Sequence, residues 1–314
     1  GNTHAAAVDA DLKVTGNGPR LHEFLRELSA ECFREEGLVT VGEAWGADVE
    51  RAKLYSAEDG SELSMVFQFQ HMCLDQKAEK WDFLPLYLPD LKKCYNNWQQ
   101  GLHGEGWNSL FMNNHDLPRI VSRWGNDSEE YRVRSAKMLA TMLHGMQGTP
   151  YIYQGQELGM TNPGFTSIDS IDDISTKNHY RVALADGLTP EEAMPLVARY
   201  SRDNARIPFP WDGSENGGFS PAGVKPRLPV HPDYKTVNAK AETANPKGVY
   251  AFYKEMIRLR TESEFAKTIL EGKFAPILKQ YDKLIAYTRE GEKKLAVICS
   301  LSDKTRKIKL PFGV

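Results

Sequence analysis

The sequence predicts an α/β body built on a parallel sheet, followed by the start of a small all-β appendage. Three observations carry this reading. Short apolar runs rich in β-branched residues recur without polar alternation, amphipathic helical stretches stand between them, and the tail switches to short strands separated by polar turns.

Pro19 to Glu35 places Leu21, Phe24, Leu25, Leu28 and Cys32 at the spacing that lays one apolar face along a helix. Leu38 to Trp45 follows as a strand expected to be buried on both faces. Ser64 to Phe69, Ser109 to Met112 and Thr149 to Tyr153 read as three more such strands. Between them, the stretch LPDLKKCYNNWQQ reads as a helix with Gly101 as its C-cap. SEEYRVRSAKMLATMLHGM reads as another, with Ser128 as N-cap and Glu129 and Glu130 in its first turn. From 161 to 249 the pattern loosens into a polar, Gly- and Pro-rich region holding one capped helix from Thr189-Pro190, and loops of that length are usually functional. PKGVYAFYKEMIRLRTES is again amphipathic, and KLIAYTR, KLAVICS and RKIKL read as tail strands. The expected division is 1–265 for the α/β body and 266–314 for the all-β part.

At 314 residues, with 41% hydrophobic, 10% aromatic and 26% charged residues, the chain can bury a sizeable core and is neither disordered, collagen-like nor coiled coil. Its 39 basic residues against 42 acidic ones give a net charge of −3, so no whole-surface attraction to nucleic acid or to a membrane is expected, and a small neutral partner fits better. Cys32, Cys73, Cys94 and Cys299 form no CxxC pair, which leaves neither a zinc ribbon nor a dithiol motif and makes buried reduced thiols of a cytoplasmic protein the expectation. No apolar run approaches the roughly 18–20 residues that span a bilayer, and Gly1 to Lys13 lacks a secretory pattern.

Charge follows strand at two places: Glu43 closes the first run, and His115-Asp116 closes the third as FMNNHD. In parallel α/β sheets functional side chains gather at the carboxyl ends of strands, so both carboxylates are expected to face one pocket, where paired carboxyls suit acid/base work on an acetal. Taken alone, each carboxylate caps the following helix equally well.

Four stretches in order, TVGEAWG, FMNNHDLPRIVSRWGND, QGTPYIYQGQELGMTN and SRDNARIPFPWD, resemble the motifs of the α-amylase superfamily of retaining glycosidases, glycoside hydrolase family 13, in its oligo-1,6-glucosidase and dextran glucosidase branch. GEAWG followed by LSMVFQFQH looks closer to dextran glucosidase than to trehalose-6-phosphate hydrolase. The resemblance implies the second half of a (β/α)8 TIM barrel followed by the start of a C-terminal β-sandwich, an oligosaccharide substrate, and neither cofactor nor metal. It implies that Glu43 is the general acid/base and Asp116 the carboxylate that grips sugar hydroxyls and stabilises the oxocarbenium-like transition state. His115 would donate to the same sugar, against the plainer reading of a core histidine. Arg202 would hold the terminal glucose, against a surface ion pair with Asp203. Trp45 would wall the next sugar, against core packing, and Lys80 would contact the leaving sugar, against simple solvation.

Departures from the family pattern are Gln156 for Glu, Gln70 for an acidic residue and Pro210 for Gln, all expected around the sugar sites. The family's nucleophilic Asp, in a G-F-R-x-D stretch, does not occur in this sequence, so the chain alone is expected to be inactive. Strands without their first-half partners would leave apolar edges, and self-association of half-barrels is the expectation. The alternatives are a non-catalytic carbohydrate-binding or transporter-associated protein of the same fold, or an α-glucosidase of other linkage, such as trehalose-6-phosphate or α-1,4.

Overall fold

The computed structural model describes Gly16 and residues 18–33, 37–77, 80–305 and 307–312. Two compact units emerge: one of Gly1–Leu110, Met142–Tyr151 and Leu259–Val314, the other of Phe111–Thr141 and Ile152–Arg258. They are cut along other lines than the expected division at 265/266.

The first unit holds the parallel strands. Helix α1 (Leu21–Cys32) precedes β1 (Val41–Glu43), α2 (Val49–Tyr55), β2 (Met65–Phe67), α3 (Leu88–Gly101), β3 (Ser109–Leu110) and β4 (Thr149–Pro150). β1 pairs in parallel with β2, Val66 bridges in parallel to Asn108, and β3 pairs in parallel with β4, so the four runs neighbour one another in chain order. Each strand is two or three residues long, shorter than its apolar run: pairing covers the middle of the first two runs and only the first two residues of Ser109 to Met112 and Thr149 to Tyr153. β1 corrects the expectation of burial on both faces. It lies at the end of this row, and Leu38, Val39 and Val41 are 46%, 64% and 40% exposed. The expected extension of α1 to Glu35 and the Gly1 to Lys13 segment lie outside the described residues.

The core beneath α2 and α3 joins Val49, Ala52, Tyr55, Val66, Trp98 and Leu102, with Leu21 and Leu25 of α1 packed on it. Gly101 is the last residue of α3, and Leu102, in the right-handed region, is the cap, which corrects the C-cap expected at Gly101. Its lack of a side chain has another cause: a Cβ there would stand 2.4 Å from Val49 Cγ1. The glycine lets α2 approach α3.

The tail forms an antiparallel sheet of β5 (Lys273–Pro276), β6 (Leu284–Glu290) and β7 (Lys294–Ser300) in that order. β5 escaped the sequence reading because Pro276 and the short KFAP run gave no alternation. RKIKL contributes no strand among its described residues, although Ile308 and Leu310 pack on the cluster of Leu278, Leu284 and Ala286. The sheet is tied to the α/β elements by buried polar groups. Tyr287 donates to the Met142 carbonyl at 2.8 Å, and Arg289 donates to Gln99 Oε1 at 3.2 Å and to the Ile269 carbonyl at 2.9 Å. Arg260 donates to the carbonyls of His144, Met146 and Gly148 at 2.5, 2.7 and 2.5 Å, fixing the turn that leads into β4. A buried guanidinium needs such acceptors, since each unmatched N–H would forfeit its hydration.

The second unit carries the long region. Helix α4 (Ile120–Trp124) is followed by α5 (Arg132–His144), whose last turn belongs to the first unit. The chain at Ser128 makes a separate turn, its carbonyl accepting from Tyr131 and Arg132, so the helix begins at Arg132 rather than after an N-cap at Ser128. Then come α6 (Ile174–Ala185), α7 (Pro190–Tyr200), α8 (Asp203–Arg206), α9 (Ala239–Ala244) and α10 (Val249–Thr261), which ends in the first unit before α11 (Ala266–Glu271). The Thr189 cap is complete: its hydroxyl accepts from Glu192 N and its own N–H donates to Glu192 Oε2. α6 was missed because its apolar residues follow no helical stripe, only Thr176 and Ala183 being buried.

Among the four cysteines Cys94 and Cys299 are buried as expected, whereas Cys32 and Cys73 are exposed because each ends a helical turn facing outward, and none forms a disulfide. No helix among the described residues is long and apolar enough to cross a membrane.

His231 ties the long region together. Its Nδ1 accepts from Asp233 N at 3.1 Å, and Nε2 meets Thr161 Oγ1 at 3.0 Å. Burial depresses its pKa below 6.5, helped by Arg119 and Arg132 and opposed by Asp233 at 4.0 Å. Above about pH 6.5 the imidazole is neutral folded and unfolded; below it the unfolded chain takes up a proton that the folded one resists, so stability falls with pH until the depressed value is passed. Urea unfolding at about pH 7.5 and about pH 5.5 should show a smaller loss for His231→Gln than for the unaltered protein, and an equal loss would refute the assignment.

Gly101→Ala should lower stability: overpacking costs about 1–3 kcal/mol against a helix gain of about 1 kcal/mol. Adding Val49→Ala, which removes the obstructing methyls, should cost less than the two single changes summed. A stabilised Gly101→Ala protein in urea titration would show that the close approach is not tight.

Candidate active site

β1 ends on Glu43 in register with Phe67 of β2, and the Ala44 N–H continues the ladder by donating to the Phe67 carbonyl at 2.9 Å. The chain then leaves the sheet, and Asp48 caps α2 by accepting from Arg51 N at 2.9 Å. In this turn Trp45 Nε1 donates to Glu43 Oε1 at 2.7 Å, while the indole stacks on Phe69 with centroids 3.9 Å apart and planes 11° from parallel. The helix that follows is capped by Asp48, so capping is not what Glu43 does.

Trp45 is 47% exposed, which removes the core-packing reading. It lines a cleft of about 1250 Å³ together with Phe69, Gln70, Lys77, Lys80 and Asn97. Gln70 accepts from Trp98 Nε1 at 2.8 Å, so the amide in place of an acidic residue serves as acceptor for a core indole while bordering the cleft. Lys80 Nζ lies 4.2 Å above the Trp81 ring, a cation on a π face, and borders the same cleft. The first unit thus brings Glu43 to Trp45, and Trp45 and Lys80 to one cleft.

The second unit gathers the other expected residues around Asp116. Asn114 Oδ1 accepts from Asp116 N at 2.8 Å, setting the turn after the NHD stretch. Arg206 Nη2 donates to Asp116 Oδ1, Arg202 Nε stands 3.8 Å from the same oxygen and His115 Nε2 3.7 Å from it. Arg206 Nε also donates to the His115 carbonyl at 2.9 Å. His115 is 62% exposed at its side chain and is no core histidine.

Sequence reading did not single out Arg206. The available signal was spacing: Arg202 and Arg206 are four apart, which places two guanidinium groups on one face of a helical turn. The expected alternative for Arg202, an ion pair with Asp203, is replaced by a different arrangement. Asp203 is 2% exposed, and its Oδ2 accepts from the N–H groups of Asp172 and Asp173 at 2.5 and 2.9 Å. Asp173 in turn caps α6 and accepts from Arg202 N. Asp203 therefore holds the loop before α6 against α8.

Two departures expected at the sugar sites prove to be core positions. Gln156 is 4% exposed and donates to the Tyr253 hydroxyl at 2.8 Å, whose pKa burial drives far up. Pro210 is buried, its carbonyl accepting from Ala239 N at 2.9 Å. An amide at 156 meets a phenol where a carboxylate would be buried beside it, so this substitution concerns packing.

A parallel α/β body with a strand-end Glu and an arginine-held Asp defines the class, and the family model for the α-amylase catalytic domain matches residues 3–268, so the chain belongs to that family. Within it, the chain is 48% identical over 298 residues to oligo-1,6-glucosidase of Parageobacillus thermoglucosidasius, covering 94% of this chain and 52% of that protein. It is 46% identical to glucan 1,6-alpha-glucosidase of Streptococcus pneumoniae, over 94% of this chain and 55% of that protein. The solved trehalose-6-phosphate hydrolase of Bacillus licheniformis superposes with a TM-score of 0.89 at 41% identity, over 95% of this chain and 53% of that one. The chain spans about half the length of the relatives it matches.

Asp203→Asn should destabilise the second unit by about 1–3 kcal/mol, because an amide turned the wrong way meets two N–H donors and, turned the right way, accepts more weakly than a carboxylate. Urea unfolding measures this, and an unchanged midpoint would mean the two backbone bonds contribute nothing net.

Proposed function

We propose that this chain is the carboxyl-side part of a retaining α-glucosidase that hydrolyses α-1,6 bonds of isomalto-oligosaccharides or dextran. The observation that carries the reading is Glu43 at the carboxyl end of a parallel strand, bonded to an exposed indole that opens on a large cleft. Relatives named for 1,6-glucosidase activity support the linkage. The four neighbouring parallel strands, with helices between them, support a half of a (β/α)8 barrel, and β5–β7 support the beginning of a C-terminal β domain.

In this reading Glu43 protonates the departing glycosidic oxygen and then, as carboxylate, takes the proton from the attacking water. The Trp45 N–H steadies the carboxyl in one orientation, and the ring offers an apolar face to the leaving sugar. Asp116, oriented by Arg206, accepts from hydroxyls of the distorted sugar ring, and its charge favours the oxocarbenium-like transition state. His115 and Arg202 donate to the same sugar. The retaining nucleophile comes from the G-F-R-x-D stretch that this sequence does not contain, so turnover belongs to protein that carries it. A trehalose-6-phosphate hydrolase is the second reading, favoured by the structural likeness to that enzyme.

Steady-state assay of the full-length protein on isomaltose, isomaltotriose and trehalose 6-phosphate separates these readings, and preference for trehalose 6-phosphate would overturn the first. In single-turnover experiments Glu43→Gln should lose roughly 10²–10⁴-fold on isomaltose and much less on α-glucosyl fluoride, whose leaving group needs little protonation. Equal losses on both substrates would take Glu43 out of the acid role.

A further inference from the structure

Arg119 stands three residues beyond Asp116 and is 1% exposed. Its guanidinium donates to three backbone carbonyls: Nη1 to Gln154 at 2.5 Å, Nε to Asn204 at 3.1 Å and Nη2 to Ala205 at 3.1 Å. The Tyr153 ring lies 5.4 Å from the guanidinium, and the Tyr153 hydroxyl donates to the same Ala205 carbonyl at 3.0 Å. The Arg119 N–H donates to Asn162 Oδ1 at 2.9 Å, so its backbone is held as firmly as its side chain.

Asn204 and Ala205 are the middle residues of α8, which Arg202 immediately precedes and Arg206 ends. Those two arginines converge on Asp116 Oδ1, and Arg206 also holds the His115 carbonyl. The contacts therefore close a ring: from Asp116 along the backbone to Arg119, through its guanidinium to the carbonyls of α8, and through the Arg206 side chain back to Asp116. A four-residue helix has too few internal hydrogen bonds to keep its own place. What fixes α8 is its outside contacts: the Asp203 carboxylate on the loop before α6, Asn204 Nδ2 on the carbonyls of Ala198 and Arg199, and, on the side toward Asp116, the Arg119 and Tyr153 donors on the carbonyls of Asn204 and Ala205.

We propose that Arg119, seconded by Tyr153, is the positioning residue of this site: it sets α8 and thereby the place of the Asp116 carboxylate and of Arg202 and Arg206. It touches no substrate. Burial lowers the Arg119 guanidinium to about 10, still protonated at neutral pH, so it remains a full donor. Lysine is no substitute, because one ammonium cannot span carbonyls that the planar fork reaches in fixed directions.

The inference rests on the role given above to Asp116, and its test has one readout that does not. In the full-length protein, Tyr153→Phe removes a single hydroxyl and Arg119→Lys keeps the charge without the fork. Steady-state kinetics on isomaltose should show kcat falling about 10-fold or more in the first and about 100-fold in the second, with KM little changed, the scale expected of a carboxylate displaced by about 1 Å. Independently, the Arg206 Nε–H, followed by nitrogen-15 NMR, should exchange with solvent faster in both variants while the melting temperature of Tyr153→Phe stays near that of the unaltered protein. Unchanged kcat in a folded Tyr153→Phe protein, or Arg206 exchange unaltered in both variants, overturns the proposal. If the unaltered protein does not hydrolyse isomaltose, the reading of Asp116 fails, and the exchange measurement still decides whether Arg119 positions α8.

Discussion

A guanidinium removed from water seeks carbonyls, and the fold of this chain uses three buried guanidinium groups whose N–H groups are matched except for Arg289 Nε, which has no partner among the described residues. Arg119, Arg260 and Arg289 are 1%, 4% and 0% exposed, and burial lowers all three to about 10. Their partners are mostly main-chain oxygens at places where regular structure stops: the turn before β4, the end of α11, and the four-residue α8. Strands of two or three residues cannot organise such junctions by ladder bonds alone. The arginines supply donors that the short elements lack, and an apolar replacement would leave the carbonyls unmatched in a dry interior.

The same constraint explains why the surroundings of Glu43 and of Asp116 are built differently. Around Glu43 stand a strand end and one indole N–H, that of Trp45, whose ring borders the cleft. Asp116 is embedded in a chain of contacts, and flexible arginines keep its oxygens at fixed angles only when their own backbone is pinned. Asp116, Arg202 and Arg206 are half exposed, and the groups that hold their supports are buried.

Much of this was legible in the sequence. The helix Leu88–Gly101, the capped helix at Thr189 and the locations of all four parallel strands follow from apolar spacing and cap residues. The strand-end position of Glu43 follows from where charge interrupts an apolar run, whereas β3 stops at Leu110 and Asp116 sits six residues later in a turn set by Asn114, not on the strand end that the FMNNHD run suggested. What stayed hidden depends on contacts between distant residues. Gly101 looked like a cap because a glycine ending a helix usually is one, and only the nearness of Val49 reveals a packing glycine. Arg119 drew no reading from the sequence, since nothing local marks the carbonyls of 154, 204 and 205 as its partners. Gln156 looked like an altered sugar site because its partner, Tyr253, lies almost a hundred residues away.

The two compact units are both stitched from separate stretches of chain, and this bears on how the polypeptide is made. The first unit needs Leu259–Val314 to complete what begins before Leu110, and the second is interrupted by Met142–Tyr151. Synthesis proceeds from the amino end at about 5–20 residues per second, so the parallel strands emerge many seconds before β5–β7. Through that interval Tyr287 and Arg289 are not yet there for Met142 and Gln99. Native contacts so far apart along the chain close late, because loop entropy must be met first. The nascent chain therefore carries an incomplete sheet, with the apolar β1 edge open, until Leu259–Val314 arrives.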